Sequence, residues 1–264
     1  MNFTDTHCHL DAAEFGGNHA GLVAAATAAG VTRIVIPAVE RANFATVQNL
    51  CRAHPGCAPA LGIHPMYTPQ AQPDDLEALR ALVAAEKPLA IGEIGLDFFI
   101  DAYDQPTQEL YFREQLKLAR DFDLPVLLHI RRAQDSVLKH LRQIGVRGGI
   151  AHAFNGSRQQ AEAFIQLGFK LGFGGAMTYP RATRLRELAA TLPLDCLVLE
   201  TDAPDIPPAF LQAGEPNKPE HLPRIAQTLA ELRGLSLADV ALATTENACE
   251  VLPGLARYNA SLSH

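Results

Sequence analysis

Histidine and acidic residues recur in this sequence where β-like runs end, and these residue types are suited to binding a metal ion. His7 and His9 follow the first such run and are separated by one residue. Because side chains alternate along a strand, both imidazoles would project to one face and could chelate one cation. Structural histidines also form this short motif. The other candidate ligands are Glu93, His129, His152 and Asp202.

Each candidate also has an ordinary structural explanation when it is considered alone. Glu93 could form a salt bridge with an arginine, and Asp202 could cap a helix or a loop. His129 and His152 could be hydrogen-bonded core histidines. As a set, these groups predict a metal centre, in which a carboxylate such as Glu93 can bridge two ions about 3.5–4 Å apart. Mixed imidazole and carboxylate ligands suit Zn, Mn, Ni, Fe or Co, whereas carboxylates alone would favour Mg.

The expected chemistry of such a centre is hydrolysis by a water that the metal ions activate. Asp202 would accept the proton of that water, and Glu93 would hold the ions in place. His64 follows the third β-like run and could orient or protonate a phosphate oxygen, although it could equally cap a loop. Arg131 could clamp an anion, with solvation at the surface as the alternative.

Short apolar runs alternate with amphipathic helical stretches along the chain, and glycine or proline separates most of them. Continuous apolar runs such as residues 126–128 are typical of strands buried on both faces of a parallel sheet. The predicted strands are residues 3–8, 33–37, 59–63, 89–93, 126–130, 149–152, 169–173 and 197–201. The predicted helices are residues 20–29, 44–53, 76–85, 108–122, 137–143, 159–167, 184–191, 222–233 and 237–250.

Eight β/α units in a chain of 264 residues predict a closed (β/α)8 TIM barrel that forms a single domain over residues 1–264. The alternative is an open doubly wound sheet, but no GxGxxG or GxxxxGK[ST] loop follows a predicted strand. Catalytic groups of a barrel lie at the C-terminal ends of its strands. The candidate residues, which occupy those ends, are therefore expected to meet.

Composition narrows the classes of function. The formal net charge of −7 disfavours a protein that grips duplex DNA through a broad basic face. Five scattered cysteines argue against a disulfide framework. No apolar run approaches the roughly 20 residues of a membrane span, and the polar start lacks the pattern of a signal peptide. A cytoplasmic protein without membrane partners is expected.

The chain resembles the TatD-family hydrolases, which are metal-dependent hydrolases of the barrel type. The matching motifs occur in family order across almost the whole chain, and the stretches at 200–207 and 216–219 look most like the YjjV-like branch. The motifs are DTHCH at 5–9, GIHP at 62–65, GEIGLD at 92–97, LPVLLH at 124–129, HAFNGS at 152–157 and LETDAP at 199–204.

This resemblance implies that the six candidate residues ligate two divalent ions per chain, with Glu93 bridging and Asp202 acting as general base. It also implies a DNase that removes nucleotides from 3′ ends, so single-stranded or 3′-end DNA is the expected partner of a monomer or weak oligomer. Relatives often read His-Cys-Phe-Ser-Gly at the sixth strand. Here Ala153 and Asn155 replace the Cys and the Ser, which makes Asn155 a candidate substrate contact.

Two other functions remain open at this point. The same centre could hydrolyse a small ester, lactone or amide, but many such metal barrels carry a carbamylated lysine where this chain has Glu93. A non-catalytic metal-binding protein is the third possibility. Six ligands around open positions at a barrel mouth are unusual for a closed structural metal site.

Overall fold

Parallel strands lie in sequence order around a barrel in the computed structural model, which describes residues 1–99 and 104–258. The predicted TIM barrel is therefore confirmed. The strands are β1 Phe3–Asp5, β2 Val31–Pro37, β3 Cys57–Leu61, β4 Ala90–Asp97, β5 Val126–Arg131, β6 Gly149–Ala151, β7 Phe169–Phe173 and β8 Leu197–Leu199.

Helices surround the barrel, and one follows each of the first seven strands before a final pair completes the layer. The α-helices are α1 His19–Ala28, α2 Phe44–Ala53, α3 Pro73–Glu86, α4 Gln105–Asp121, α5 Gln134–Ile144, α6 Arg158–Gln166, α7 Thr183–Thr191, α8 Leu222–Arg233 and α9 Leu237–Val251. Short 3-10 helices lie in the connections at Ala13–Phe15, Arg41–Asn43, Pro65–Tyr67, Gly175–Thr178, Leu194–Cys196, Pro219–His221 and Leu255–Arg257. None of the helices in the described ranges could cross a lipid bilayer.

The barrel closes between β8 and β1 through residues that lie mostly beyond the two strands. The amide of Thr6 donates to the carbonyl of Leu199 (3.0 Å), and the amide of Asp202 donates to the carbonyl of His7 (2.8 Å). The amide of His9 donates to the carbonyl of Ala203 (2.8 Å). The ring is therefore completed by the segments that carry three of the candidate ligands.

Alternation along the strands sets the direction of the site residues. One buried apolar cluster contains Leu127, Ile150 and Val198. Leu252, the residue directly after α9, belongs to the same cluster. Side chains two residues further along point the same way in a β-strand. On β5, and just beyond the ends of β6 and β8, those positions are occupied by His129, His152 and Glu200.

The fourth strand departs from the prediction. It runs to Asp97 instead of ending at Glu93, and its register with β5 shifts between Ile91 and Ile94. Ala90 packs in the same apolar cluster, so regular alternation would point residue 92, a glycine, into the barrel. Because of the register shift, Glu93 points into the barrel instead. Gly92 has no room for a side chain, because a Cβ there would lie 2.6 Å from Cβ of Leu127.

Candidate metal centre

The carboxylate of Glu93 lies at the middle of the barrel mouth, between two groups of imidazoles. Its Oε2 atom faces the histidines that follow β1, and its Oε1 atom faces those of β3, β5 and β6. The side chain is 2% exposed. Five imidazole rings approach this buried carboxylate, as the sequence predicted. They belong to His7, His9, His64, His129 and His152.

On the Oε2 side, His7 and His9 point the same ring nitrogen at Glu93. The Nε2 atoms of His7 and His9 lie 3.1 Å and 3.3 Å from Oε2, and 3.3 Å from each other. Oδ1 of Asp202 lies 3.7 Å from both nitrogens. Three nitrogen and oxygen atoms of separate side chains thus converge on one point beside Glu93.

On the Oε1 side, two imidazoles lie at hydrogen-bond distance. Nδ1 of His129 and Nε2 of His152 are each 3.0 Å from Oε1 of Glu93. The rings of His152 and His7 stack with centroids 3.8 Å apart, so the two groups are in direct contact. Nε2 of His64 lies slightly further from Oε1, at 3.4 Å.

His129 is oriented from behind by Asp97, whose Oδ2 lies 3.0 Å from the ring Nε2. Gln108 of α4 fixes the end of β4 in turn, because its side chain accepts from the amide of Asp97 (2.9 Å) and donates to its carbonyl (3.1 Å). An imidazole that donates Nε2–H to a carboxylate keeps its Nδ1 lone pair free for a metal ion. The ring of His129 is therefore presented to Glu93 as a ligand would be.

Glu200 lies behind His152 and is almost completely buried. Its Oε1 accepts from the amide of Ala153 and lies 3.6 Å from Nδ1 of His152, which is too long for a hydrogen bond but short for a charge interaction. Oε2 of Glu200 has no hydrogen-bond partner among the residues that the structure describes. A Cβ at Gly172 would meet that oxygen at 2.2 Å, so only glycine leaves room for this carboxylate.

Asp5 ties the first and last ligand segments together, a role the sequence analysis did not assign. Its Oδ1 accepts from the amides of His7 (3.2 Å) and Thr201 (3.0 Å), and its Oδ2 accepts from the hydroxyl of Thr201 (2.6 Å). Burial raises the pKa of Asp5 to about 7. The available signal was a carboxylate two residues before His7, within the first predicted strand. Asn217, also fully buried, holds the same turn by donating to the carbonyl of Thr201 (2.8 Å).

His64 is held differently from the other histidines. Its Nδ1 accepts from the amide of Met66 (3.1 Å), so in the neutral ring Nε2 carries the proton and faces the centre. Gln115 of α4 anchors the preceding residue by accepting from the amide of Ile63 (2.7 Å) and donating to its carbonyl (3.0 Å). Burial lowers the pKa of His64 to about 4. The ring therefore presents a neutral N–H donor, and its loop-capping role coexists with that position.

The metal-free centre holds protons that a bound cation would displace: although burial opposes protonation, Glu93 raises the pKa of His9 to about 9 and holds the pKa of His152 well above its usual range. Although burial opposes ionisation, the imidazoles of His7, His64 and His152 hold the pKa of Glu93 well below its usual range. Burial lowers the pKa of His7 to about 3, so this ring is neutral and has a lone pair available. Burial also raises the pKa of Asp202 to about 6, a value suited to taking up a proton near neutrality.

The donor atoms fit a metal ion. An ion in tetrahedral coordination with bonds of about 2.0–2.1 Å holds its ligand atoms about 3.3 Å apart. Nε2 of His7, Nε2 of His9 and Oε2 of Glu93 are separated by 3.1–3.3 Å. Lone pairs that face each other at this distance repel unless a cation or a proton lies between them. Both the chemistry and the spacing of these groups are those of ligands.

The backbone around the centre is strained. A positive φ at a residue other than glycine is uncommon and clusters at functional sites. In the part of the chain that the structure describes, Arg132 (φ 55°), Ala153 (43°), Asp202 (55°) and Ile206 (44°) adopt it at the barrel mouth. The conformation is least favourable for the β-branched Ile206.

A cavity of about 1280 Å³ opens above the centre, and the two remaining predicted residues line it. Arg131 is exposed and stacks on Phe99, with its guanidinium carbon 3.6 Å from the ring centroid. Asn155 is also exposed, and its side-chain oxygen accepts from Arg184 (3.0 Å). Neither residue contacts Glu93; both lie on the rim of the cavity.

Comparison with known proteins agrees with this geometry. The family model for TatD-related DNase matches residues 4–253. A protein named uncharacterized metal-dependent hydrolase YjjV, from Escherichia coli K12, is 44% identical over 248 residues, which cover 93% of this chain and 95% of that protein. A protein named 3′-5′ ssDNA/RNA exonuclease TatD, from the same strain, is 33% identical and covers 96% of this chain and 99% of its own length.

The crystal structure of YjjV from Escherichia coli K12 superposes with a TM-score of 0.92 at 43% sequence identity, and the match covers 95% of this chain and 98% of that one. Fold, family model and sequence relatives thus point to the same class of protein. This chain belongs to the TatD family and is a metal-dependent hydrolase of the TatD type.

Proposed function

We propose that this protein hydrolyses phosphodiester bonds of DNA at a centre of two divalent metal ions, and that it removes nucleotides from the 3′ ends of single strands. The observation that carries the proposal is the position of Glu93, whose Oε2 faces His7 and His9 and whose Oε1 faces His129 and His152. A carboxylate placed in this way can bridge two ions. The name of the TatD exonuclease relative supports the choice of nucleic acid as substrate.

The ligand assignment follows the two sides of Glu93. His7, His9 and Asp202 with Oε2 of Glu93 would hold one ion, and His129 and His152 with Oε1 would hold the other. Imidazole and carboxylate groups are compatible with Zn, Mn, Ni, Fe, Co or Mg. His64 is not assigned as a ligand, because its Nδ1 accepts from Met66 and its Nε2 carries a proton.

Bound divalent ions would lower the pKa of a water molecule and neutralise charge on the phosphate. Asp202, whose Oδ1 lies beside His7 and His9, would take up the proton of that water. His64 donates its Nε2–H to a phosphate oxygen; because its pKa is about 4, it acts as a neutral donor and not as an imidazolium acid. Arg131, on the rim of the cavity, would offer its exposed guanidinium to the phosphate groups of the substrate.

The direct test is hydrolysis of single-stranded DNA by the purified protein, with each candidate ion added back after chelation. A panel of aryl phosphodiesters and carboxyl esters, lactones and amides run beside it separates the proposal from its alternatives. Turnover of phosphodiesters alone supports it. Turnover of carboxyl esters or amides alone would assign the centre to that chemistry instead. Bound metal without turnover of any substrate would indicate a metal-binding protein without catalysis.

Two expectations stay predictions. One is that residues 1–264 form a single domain; the other is that the protein acts in the cytoplasm as a monomer or weak oligomer. The free thiols Cys8, Cys51, Cys57, Cys196 and Cys249 are consistent with a reducing compartment.

A further inference from the structure

The mouth of the barrel is electrically asymmetric. One side of the cavity is lined by Asp11, Glu14 and Glu40, which we call the acidic rim. These residues follow β1 and β2. The other side is lined by three arginines, which we call the arginine rim: Arg131 ends β5, Arg132 follows it, and Arg184 lies in the first turn of α7. The exposed Asp205, after β8, also lines the cavity. In an eight-stranded ring with strands in sequence order, the first two strands lie opposite the fifth and sixth.

The arginines of this rim are not neutralised by carboxylates of the described residues. No Asp or Glu oxygen in those ranges lies within 4.0 Å of the guanidinium groups of Arg131, Arg132 or Arg184, whereas Arg41, Arg52 and Arg80 on the outer surface each have such a partner. Within residues 1–99 and 104–258, a chain with a net charge of −7 thus keeps three arginines without an ion pair at one edge of its cavity, and the described carboxylate that feels the charge of Arg131 is the buried Asp97.

Two features hold the arginine rim in place. Arg131 and Arg132 both stand over the ring of Phe99, with guanidinium carbons 3.6 Å and 4.6 Å from its centroid. Arg184 donates to the side-chain oxygen of Asn155 (3.0 Å). Cation–π stacking and a neutral acceptor orient a guanidinium without cancelling its charge. The arrangement keeps the remaining N–H groups available for an anion.

Gln134 holds the backbone of Asn155, whereas Arg184 contacts its side chain. Its side-chain amide donates to the backbone carbonyl of Asn155 (2.6 Å), and Gln134 begins α5, two residues after Arg132. The turn that carries Asn155 is therefore fastened both to the segment of Arg132 and to the side chain of Arg184. Arg132 and Arg184 consequently flank one stretch of the rim.

We propose that Arg132 and Arg184, with Asn155 as the positioning residue of Arg184, form an anion subsite that binds the phosphate adjacent to the one being hydrolysed. This inference rests on the proposed function and names a subsite for its substrate. The scissile phosphate belongs at Glu93, at the bottom of the cavity, while the two exposed arginines lie at its edge. The polynucleotide then leaves the cavity across the arginine rim, because the acidic rim repels further phosphates.

Binding of a short oligonucleotide tests the subsite separately from catalysis. The probe is fluorescein-labelled pentathymidylate, and its anisotropy is read with the metal-loaded protein immediately after mixing, before cleavage is detectable. A second probe carries one neutral methylphosphonate linkage next to the 3′-terminal linkage. Wild-type protein should bind the fully charged probe about ten-fold more tightly. Arg184→Met and Arg132→Met should each remove most of this preference. The slope of the logarithm of the binding constant against the logarithm of salt concentration should become shallower by about one. Both variants should bind the neutral probe as wild type does.

Two further variants complete the design. Asn155→Ala should lose part of the preference for the charged probe. Adding Asn155→Ala to Arg184→Met should cause no further loss, since Asn155 acts through Arg184. Arg142→Met is the matched control: it removes the same charge from the exposed last turn of α5, at the far end of the barrel, and should leave both affinities unchanged.

The outcomes separate the two proposals. Three results would overturn the subsite even if the protein cleaves DNA. They are equal binding of the two probes by wild type, no binding of either probe, and an unchanged preference in both arginine variants. A linkage-specific preference that the arginine variants lose would support the subsite even if no cleavage of DNA is found, in which case the proposed reaction, and not the subsite, fails.

Discussion

The carboxylate of Asp97 lies 3.0 Å from Nε2 of His129, on the side of the ring opposite to Glu93. This contact decides which nitrogen of His129 faces the centre. Although burial opposes ionisation, the hydrogen bond from His129 lowers the pKa of Asp97 below its usual value. An ionised Asp97 therefore accepts the Nε2 proton and leaves Nδ1 for a metal ion.

Substitution of Asp97 should weaken metal binding without unfolding the barrel. In Asp97→Asn the acceptor loses its charge and the His129 tautomer is no longer fixed, so we expect metal affinity to fall about 10–100-fold. Competition with a chromophoric chelator measures this loss. Asp121→Asn makes the same change on the exposed end of α4 and should leave the affinity unaltered. Wild-type affinity in Asp97→Asn would exclude this role of the contact.

Gln108 should matter for stability as well as for metal binding. In Gln108→Leu the buried amide and carbonyl of Asp97 lose their partners, which should cost about 1–3 kcal/mol of the free energy of unfolding for each unpaired group. Urea denaturation measures the loss. Gln105→Ala removes a surface contact to Glu109 in the same helix and should change stability little. A variant Gln108→Leu as stable as wild type would show that water replaces the side chain.

Asp202 should be required for turnover but not for folding. Asp202→Asn removes the proton acceptor, and we expect kcat to fall by several orders of magnitude, on the order of 10²–10⁴-fold from proton transfer alone. Because the amide of residue 202 still donates to His7, the thermal unfolding midpoint should stay close to that of wild type. Steady-state kinetics at saturating metal decide the matter. Near-normal kcat would remove Asp202 from the mechanism.

His140 should give the protein a pH-dependent stability that is independent of the metal centre. It is buried in α5, and among the described residues neither ring nitrogen has a hydrogen-bond partner, although Nε2 lies 3.6 Å from Oε2 of Glu109. Burial lowers its pKa in spite of that carboxylate. In the unfolded chain the pKa returns to about 6.5. The unfolded state therefore binds more protons in acid, so stability is complete above about pH 6.5 and declines below it.

Replacing His140 should remove that decline. His140→Leu eliminates two unsatisfied nitrogens and should raise the free energy of unfolding by about 1 kcal/mol near neutral pH, with a larger advantage at about pH 5. Urea titrations at both pH values measure the difference. The matched control is His54→Leu at a partly exposed position. An advantage for His140→Leu that shrinks in acid would contradict the sign of the linkage.

The sequence was informative where regular alternation determines side-chain direction. His129 and His152 could be placed because β5 and β6 continue the apolar pattern of Leu127 and Ile150. Glu93 was expected at the end of its strand but lies in the middle of β4, because a register shift in β4 is not visible in residue types. Asp5 and Gln108 act by hydrogen bonds to the backbone of distant segments, and such pairings depend on tertiary geometry alone.

The most direct test of the account is the metal content of the purified protein, measured together with its action on single-stranded DNA. The account predicts about two divalent ions per chain, loss of 3′-end cleavage on chelation, and its recovery when an ion is added back. Glu93→Gln should bind fewer ions and show no recovery. Cleavage that persists in full after the metal has been removed would contradict the central role of Glu93 and its ligands.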